Sequence, residues 1–177
     1  MDGDFFTSHR EAKLPIVVLP GTMSTCAQMG DLLCMVLKVF GNDCNSYTDV
    51  AAFLPFELVA SVVWDMRAGL RSLHKFLKSD PKYKDGFNLL AFSQGNCVAR
   101  AYLQLHNDPP AKIYLSVHGP LAGEFFPIPG GAEVCHLIPP FQKFIQWCHY
   151  VYSPMSRQLF KSGVLLDELN AQSARES

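Results

Sequence analysis

Leu89-Leu-Ala-Phe-Ser-Gln-Gly-Asn96 is an apolar run that reaches a serine, then a small residue, then residues with helical spacing. That order is the strand–turn–helix setting of a nucleophile elbow, where a serine rides a sharp turn at the carboxyl end of a buried strand. The usual pattern has glycine two residues before and two after the serine. Here it reads Ala91-Phe92-Ser93-Gln94-Gly95, one methyl larger at the first position. The ordinary alternative for a serine ahead of a helix is an N-cap. Three features favour the nucleophile: the buried strand before Ser93, Gly95 after it, and a Pro20-Gly21 loop closing an earlier strand at the same sheet edge.

That earlier strand is Leu14-Pro-Ile-Val-Val-Leu19, short, continuous and rich in β-branched residues, as expected of a strand buried on both faces of a parallel sheet. Residues 28–39 place Met29, Leu32, Leu33, Met35, Val36 and Val39 at spacings of three and four, which predicts a helix packed along one face. Residues 46–53 form a weaker candidate strand. Residues 56–77, apolar at Leu58, Val62, Val63, Met66, Leu70, Leu73 and Leu77, predict one long helix that Asp80-Pro81 terminates. A strand over 86–92, a helix over 94–105 and a strand over 112–117 follow, the last ending at His118-Gly119-Pro120. Strands alternating with helices predict an α/β chain with a mostly parallel sheet and helices on both faces. From 121 to 152 aromatics, prolines and glycines dominate, with a helix expected from Phe141 onward, and the segment reads as an aromatic-rich helical cap. The chain thus divides into a polar segment at 1–13, a single domain at 14–169, and a polar tail at 170–177 expected to fray.

With 177 residues, 49% of them hydrophobic and 18% charged, the chain is expected to fold around one core with one catalytic centre. No apolar run reaches the roughly 18 residues that span a bilayer, so no transmembrane segment is expected. Fifteen basic and 16 acidic residues give a net charge of −1 with no basic stripe, which excludes an electrostatic footprint for nucleic acid. Residues 1–13 lack the apolar stretch of a signal peptide, which predicts a cytoplasmic chain if the sequence is complete. The six cysteines form no Cys-x-x-Cys pair and are expected as reduced, mostly buried thiols. Cys135-His136 and Cys148-His149 are adjacent pairs whose side chains point apart, so no metal site is expected, and no cofactor motif is present.

A serine at such an elbow sits at the positive end of the following helix, and the backbone N–H of Gln94 is the local candidate to meet an oxyanion formed by its attack. The second donor is expected from Pro20-Gly-Thr-Met-Ser24, with Thr22 as the residue supplying its N–H. Among the histidines, His118 at the end of the strand after the nucleophile helix is the candidate surrogate base, because active-site groups gather at the carboxyl edge of such sheets. The ordinary reading is a loop histidine capping a strand end. His149 is the weaker candidate.

These residues resemble the palmitoyl-protein thioesterase family, α/β-hydrolases of the lysosome that remove long fatty acyl groups from cysteine thioesters. The likeness runs from Leu14 to about residue 159. It rests on Leu14-Pro-Ile-Val-Val-Leu-Pro-Gly21 with Cys26, on Phe87-Asn-Leu-Leu-Ala-Phe-Ser-Gln-Gly95 with Arg100-Ala101, and on Leu115-Ser-Val117 with Gly123. Tyr152-Ser-Pro154 with Gln158 adds to it. The resemblance implies that Ser93 is acylated, that the amides of Thr22 and Gln94 form the oxyanion hole, and that the aromatic stretch after His118 lines an acyl groove. It implies an S-acylated protein or acyl thioester as substrate, and a lysosomal setting. The chain departs from the family pattern at Pro20, where His is usual, and at Met23, where glycine is usual. The family's Asp and His lie on later strands that this chain is expected to lack. The edge at Lys112 to Val117 is then expected to be exposed and apolar. Two alternatives stand beside the thioesterase: a catalytically incomplete pseudoenzyme or fragment that binds an acyl chain or protein partner, and another α/β-hydrolase such as a lipase or carboxylesterase.

Overall fold

A computed structural model of the chain describes residues 14–25, 44–46, 56–63, 65–121, 124–125, 145–152 and 165–173. The first strand, β1 (Ile16–Leu19), is followed by β2 (Cys44–Ser46), helices α1 (Phe56–Val63) and α2 (Met66–Ser79), and a 3-10 turn at Pro81–Tyr83. Then come β3 (Phe87–Phe92), α3 (Gly95–Leu105) and β4 (Ala111–Val117). A two-residue strand β5 (Glu124–Phe125), a 3-10 turn at Gln146–His149, strand β6 (Val151–Tyr152) and helix α4 (Leu165–Ser173) complete the described elements. The helix expected over 28–39 lies outside the described residues, as does most of the cap.

Four strands form one parallel sheet in the order β2-β1-β3-β4. From β1 the chain moves to one side to make β2, then returns to lay β3 against the other side of β1. The order therefore reverses between β1 and β3, and in open α/β sheets the carboxyl side of such a reversal is the crevice where ligands bind. The loops that follow β1 and β3 meet at that crevice.

The apolar strands bury both faces. On one face Val17, Leu19, Leu89 and Ala91 join Met66, Leu70, Leu73 and Leu77 of α2, Cys97 and Tyr102 of α3, and Leu165 and Leu169 of α4 in one core. Spacings of three and four put the α2 and α4 residues on a single stripe, and each fully buried leucine contributes roughly 1.5–3 kcal/mol. On the other face Ile16, Val18 and Leu90 cluster with Phe92 and Val117. Among the described strands β4 is an edge, and on it Ile113 is 63% and Leu115 57% exposed. β5 pairs with β6 as a separate two-stranded sheet.

Three expectations need correcting. The long helix over 56–77 is two helices, because Asp65 adopts an extended conformation and its carboxylate accepts the Arg67 N–H at 2.8 Å, capping α2 afresh. Helix α4 runs past Leu169 to Ser173, into the segment read as a tail, since Leu165 and Leu169 anchor it in the core. Cys97 is buried and in no disulfide, but Cys148 is disulfide-bonded, to a partner outside the described side chains. Sequence spacing says nothing of which thiols a fold brings within bonding distance. None of the described helices is long and apolar enough to cross a membrane.

Candidate active site

β3 carries its chain to the crevice and the backbone turns sharply there: Ser93 has φ of 45°, in the left-handed region that an L residue other than glycine rarely adopts. The turn is held from below. Ser93 N–H donates to the Val117 carbonyl at 2.9 Å, and the Asn96 side-chain amide bridges the carbonyls of Ser93 at 3.0 Å and Val117 at 3.1 Å. Gln94, not Ser93, occupies the N-cap position of α3, and no side chain caps that helix. The Ser93 hydroxyl is thus not spent on capping.

Small residues allow the close approach. A Cβ at Gly95 would lie 2.6 Å from the Pro20 carbonyl oxygen and 2.7 Å from that of Leu19, so only glycine lets α3 start against the end of β1. A Cβ at Gly21 would lie 3.0 Å from Ser93 Cβ and 3.6 Å from its Oγ. Ala91 is fully buried, its methyl packed within the core beneath the turn.

The loop after β1 closes over the same point. Ser24 N–H bonds the Gly21 carbonyl at 3.3 Å, and Met23, with φ of 55°, donates its N–H to the Ser61 hydroxyl of α1 at 2.9 Å. Met23 thus holds a left-handed conformation, one that glycine adopts more readily than methionine. Thr22 Oγ1 donates to Gln94 Oε1, and the Gln94 side-chain N–H donates to Gln146 Oε1. Tyr150 OH lies 3.1 Å from Thr22 Oγ1. Among the described residues no hydrogen bond engages the backbone N–H of Thr22 or of Gln94. Side chains thus tie the loop after β1 to the residue that follows the serine.

His118 follows Val117 directly, with φ of 50° and an exposed side chain, so β4 delivers it to the sheet edge that holds Ser93. Among the described residues no imidazole bonds the Ser93 hydroxyl. His149 is fully buried and engaged elsewhere: its Nδ1 accepts the Leu165 N–H at 3.4 Å, and its Nε2 lies 3.8 Å from Asp65 Oδ1. Burial, seconded by the nearby Arg67, pushes its pKa down to about 4, so it stays neutral at pH 7. His74 and His106 stack at 4.3 Å and pack beside Tyr102; burial and then His74 lower the His106 pKa.

Ser61, Asn96 and Gln146 were not expected at the site, and Tyr150 was expected only as part of the aromatic stretch. Asn96 alone left a signal, a side-chain amide three residues past the serine, where it can reach back under the turn. The other three reach the site from distant segments. Of the aromatic stretch assigned to an acyl groove, the described part includes Tyr150, which is buried and bonded to the loop after β1; Phe126, Phe141 and Phe144 lie outside the described residues.

Comparison with known proteins gives four findings. A region of 90 residues is 37% identical to palmitoyl-protein thioesterase 3 of Dictyostelium discoideum, covering 49% of this chain and 31% of that protein. Another of 59 residues is 41% identical to palmitoyl-protein thioesterase 1 of Caenorhabditis elegans, covering 33% of this chain and 18% of that protein. The chain thus matches less than a third of the length of either relative. Among solved structures, polyneuridine aldehyde esterase aligns with a TM-score of 0.48 at 15% identity, over 60% of this chain and 40% of that one. The model of the palmitoyl protein thioesterase family matches residues 15–173. With the sheet order and the elbow already described, that match over most of the chain makes this an α/β-hydrolase-type protein of the palmitoyl protein thioesterase family.

Proposed function

We propose that this chain hydrolyses long-chain fatty acyl thioesters of cysteine, removing palmitate from S-acylated proteins, with Ser93 as its nucleophile. The observation that carries the reading is the left-handed turn at Ser93, which leaves its hydroxyl out of the helix cap; the backbone amides of Thr22 and Gln94, engaged by no hydrogen bond among the described residues, support it. In this reading Ser93 Oγ adds to the thioester carbonyl and the two amides receive the oxyanion. The carbon–sulfur bond then breaks, the cysteine thiolate leaves, and water releases the fatty acid from Ser93. The serine proton passes to a general base. Among the described residues His118 is the exposed imidazole at this sheet edge, and its replacement tests whether it serves.

A lysosomal setting belongs to this reading, and His149 places a condition on it. A fully buried imidazole with a pKa near 4 weakens the fold as the medium acidifies. A second reading, a chain that holds an acyl group or partner without turnover, draws support from the lack of an imidazole on the Ser93 hydroxyl among the described residues.

Hydrolysis of a palmitoyl thioester by this chain, beside Ser93→Ala and His118→Ala, tests the proposal. Turnover lost in Ser93→Ala supports it, and loss in His118→Ala as well makes that imidazole the base. Turnover that survives Ser93→Ala, or none at all, overturns it for this chain, and none at all favours the second reading.

A further inference from the structure

Thr22 and Gln94 lie on separate loops, yet one chain of side-chain hydrogen bonds joins them to the segment at 146–150. Its direction follows from the donor count. A threonine hydroxyl has one hydrogen, and that of Thr22 goes to Gln94 Oε1. Tyr150, 3.1 Å from Thr22 Oγ1, must therefore donate. Gln94 passes its own N–H to Gln146 Oε1. The order of donation is Tyr150, Thr22, Gln94, Gln146.

Three of these four side chains are buried: Gln94 is 3%, Gln146 8% and Tyr150 4% exposed. A buried polar chain with every link made in one direction is rigid, because breaking any link leaves a desolvated donor or acceptor. We propose that Tyr150 and Gln146 are positioning residues: they fix the loop after β1 against the elbow and so hold the Thr22 and Gln94 amides at one separation. This rests on the reading of those amides as oxyanion donors. Neither residue touches the reacting atoms; both act through the residues that do.

Tyr150→Phe and Gln146→Met each remove one link and leave the volume nearly unchanged. Two readouts separate positioning from stability. The first is amide 15N relaxation dispersion of the full chain, which needs no activity. The second is the rate of Ser93 labelling by an alkyl fluorophosphonate, whose phosphoryl oxygen takes the oxyanion's place. Exchange broadening confined to Thr22, Gln94 and their neighbours is expected in both variants. Labelling is expected to slow about tenfold, short of the 10²–10³ that outright loss of a donor costs. The thermal midpoint should stay within a few degrees of wild type.

Amides and labelling rates indistinguishable from wild type would overturn the proposal. So would a fall in thermal midpoint with neither effect, which marks a merely structural contact. A wild-type chain that fails to label, with the same amides loosened by Tyr150→Phe, sustains the positioning role and removes the acyl-transfer reading. Failure to label with unmoved amides removes both.

Discussion

Replacing Ser93 by glycine should stabilise the chain relative to Ser93→Ala, because the backbone at this position is strained. Its φ of 45° lies where a Cβ crowds the backbone, a conformation that costs an L residue roughly 1–2 kcal/mol. Alanine keeps that strain and removes only the hydroxyl; glycine removes the strain. Glycine also gives the unfolded chain more freedom, which takes back roughly 0.4–1 kcal/mol. The balance favours Ser93→Gly over Ser93→Ala by about 1 kcal/mol, or roughly 2–4 °C in thermal midpoint for a chain of this size. Unfolding in urea, followed by far-UV circular dichroism, measures the difference. The control is Ala68→Gly within α2, where helical backbone makes glycine the worse residue by about 1 kcal/mol. Opposite signs at the two sites are the expected result. A Ser93→Gly chain less stable than Ser93→Ala would refute the strained elbow, and with it the account of how Ser93 is presented.

Further outcomes follow from the same geometry. Gly95→Ala would put a methyl within 2.6 and 2.7 Å of two backbone oxygens, so α3 must shift away from β1; a loss of roughly 1–3 kcal/mol in urea unfolding is expected. Asp65→Ala should cost about 1 kcal/mol through loss of the α2 cap, read as a lowered thermal midpoint. His149 sets the acid response. With its pKa lowered from an ordinary value near 6.5 to about 4, the unfolded chain binds a proton across that window that the folded chain refuses. Its share of stability is complete above pH 6.5 and declines as pH falls to about 4, by up to roughly 1.4 kcal/mol per pH unit and about 3 kcal/mol in all. Urea midpoints from pH 7 to 4 should fall more steeply for wild type than for His149→Gln.

Much of the frame was legible because its signals are local. The run Leu14–Leu19 carries the β-branched residues that become β1, and Leu89–Phe92 leads into the turn at Ser93. The small residues at 91 and 95 announce the close packing that the structure displays at both. Residues 56–77 misled because the apolar spacing stays in phase through Asp65, and a capping carboxylate leaves a weak mark against so strong a period. Tyr150 was read as cap or groove material because aromatic content gives burial but not partners. Its bond to Thr22 spans 128 positions, and no local pattern encodes a contact of that range. His149 and Cys148 were set aside as metal ligands because neighbours point apart; one is buried against Leu165 and Asp65, the other is bound in a disulfide.

The claim that Ser93 is the nucleophile is tested most directly by mass spectrometry of the full chain after exposure to an alkyl fluorophosphonate. One adduct is expected, located on the peptide that contains Ser93 and absent from Ser93→Ala. No adduct, or one on another residue that persists in Ser93→Ala, would contradict it.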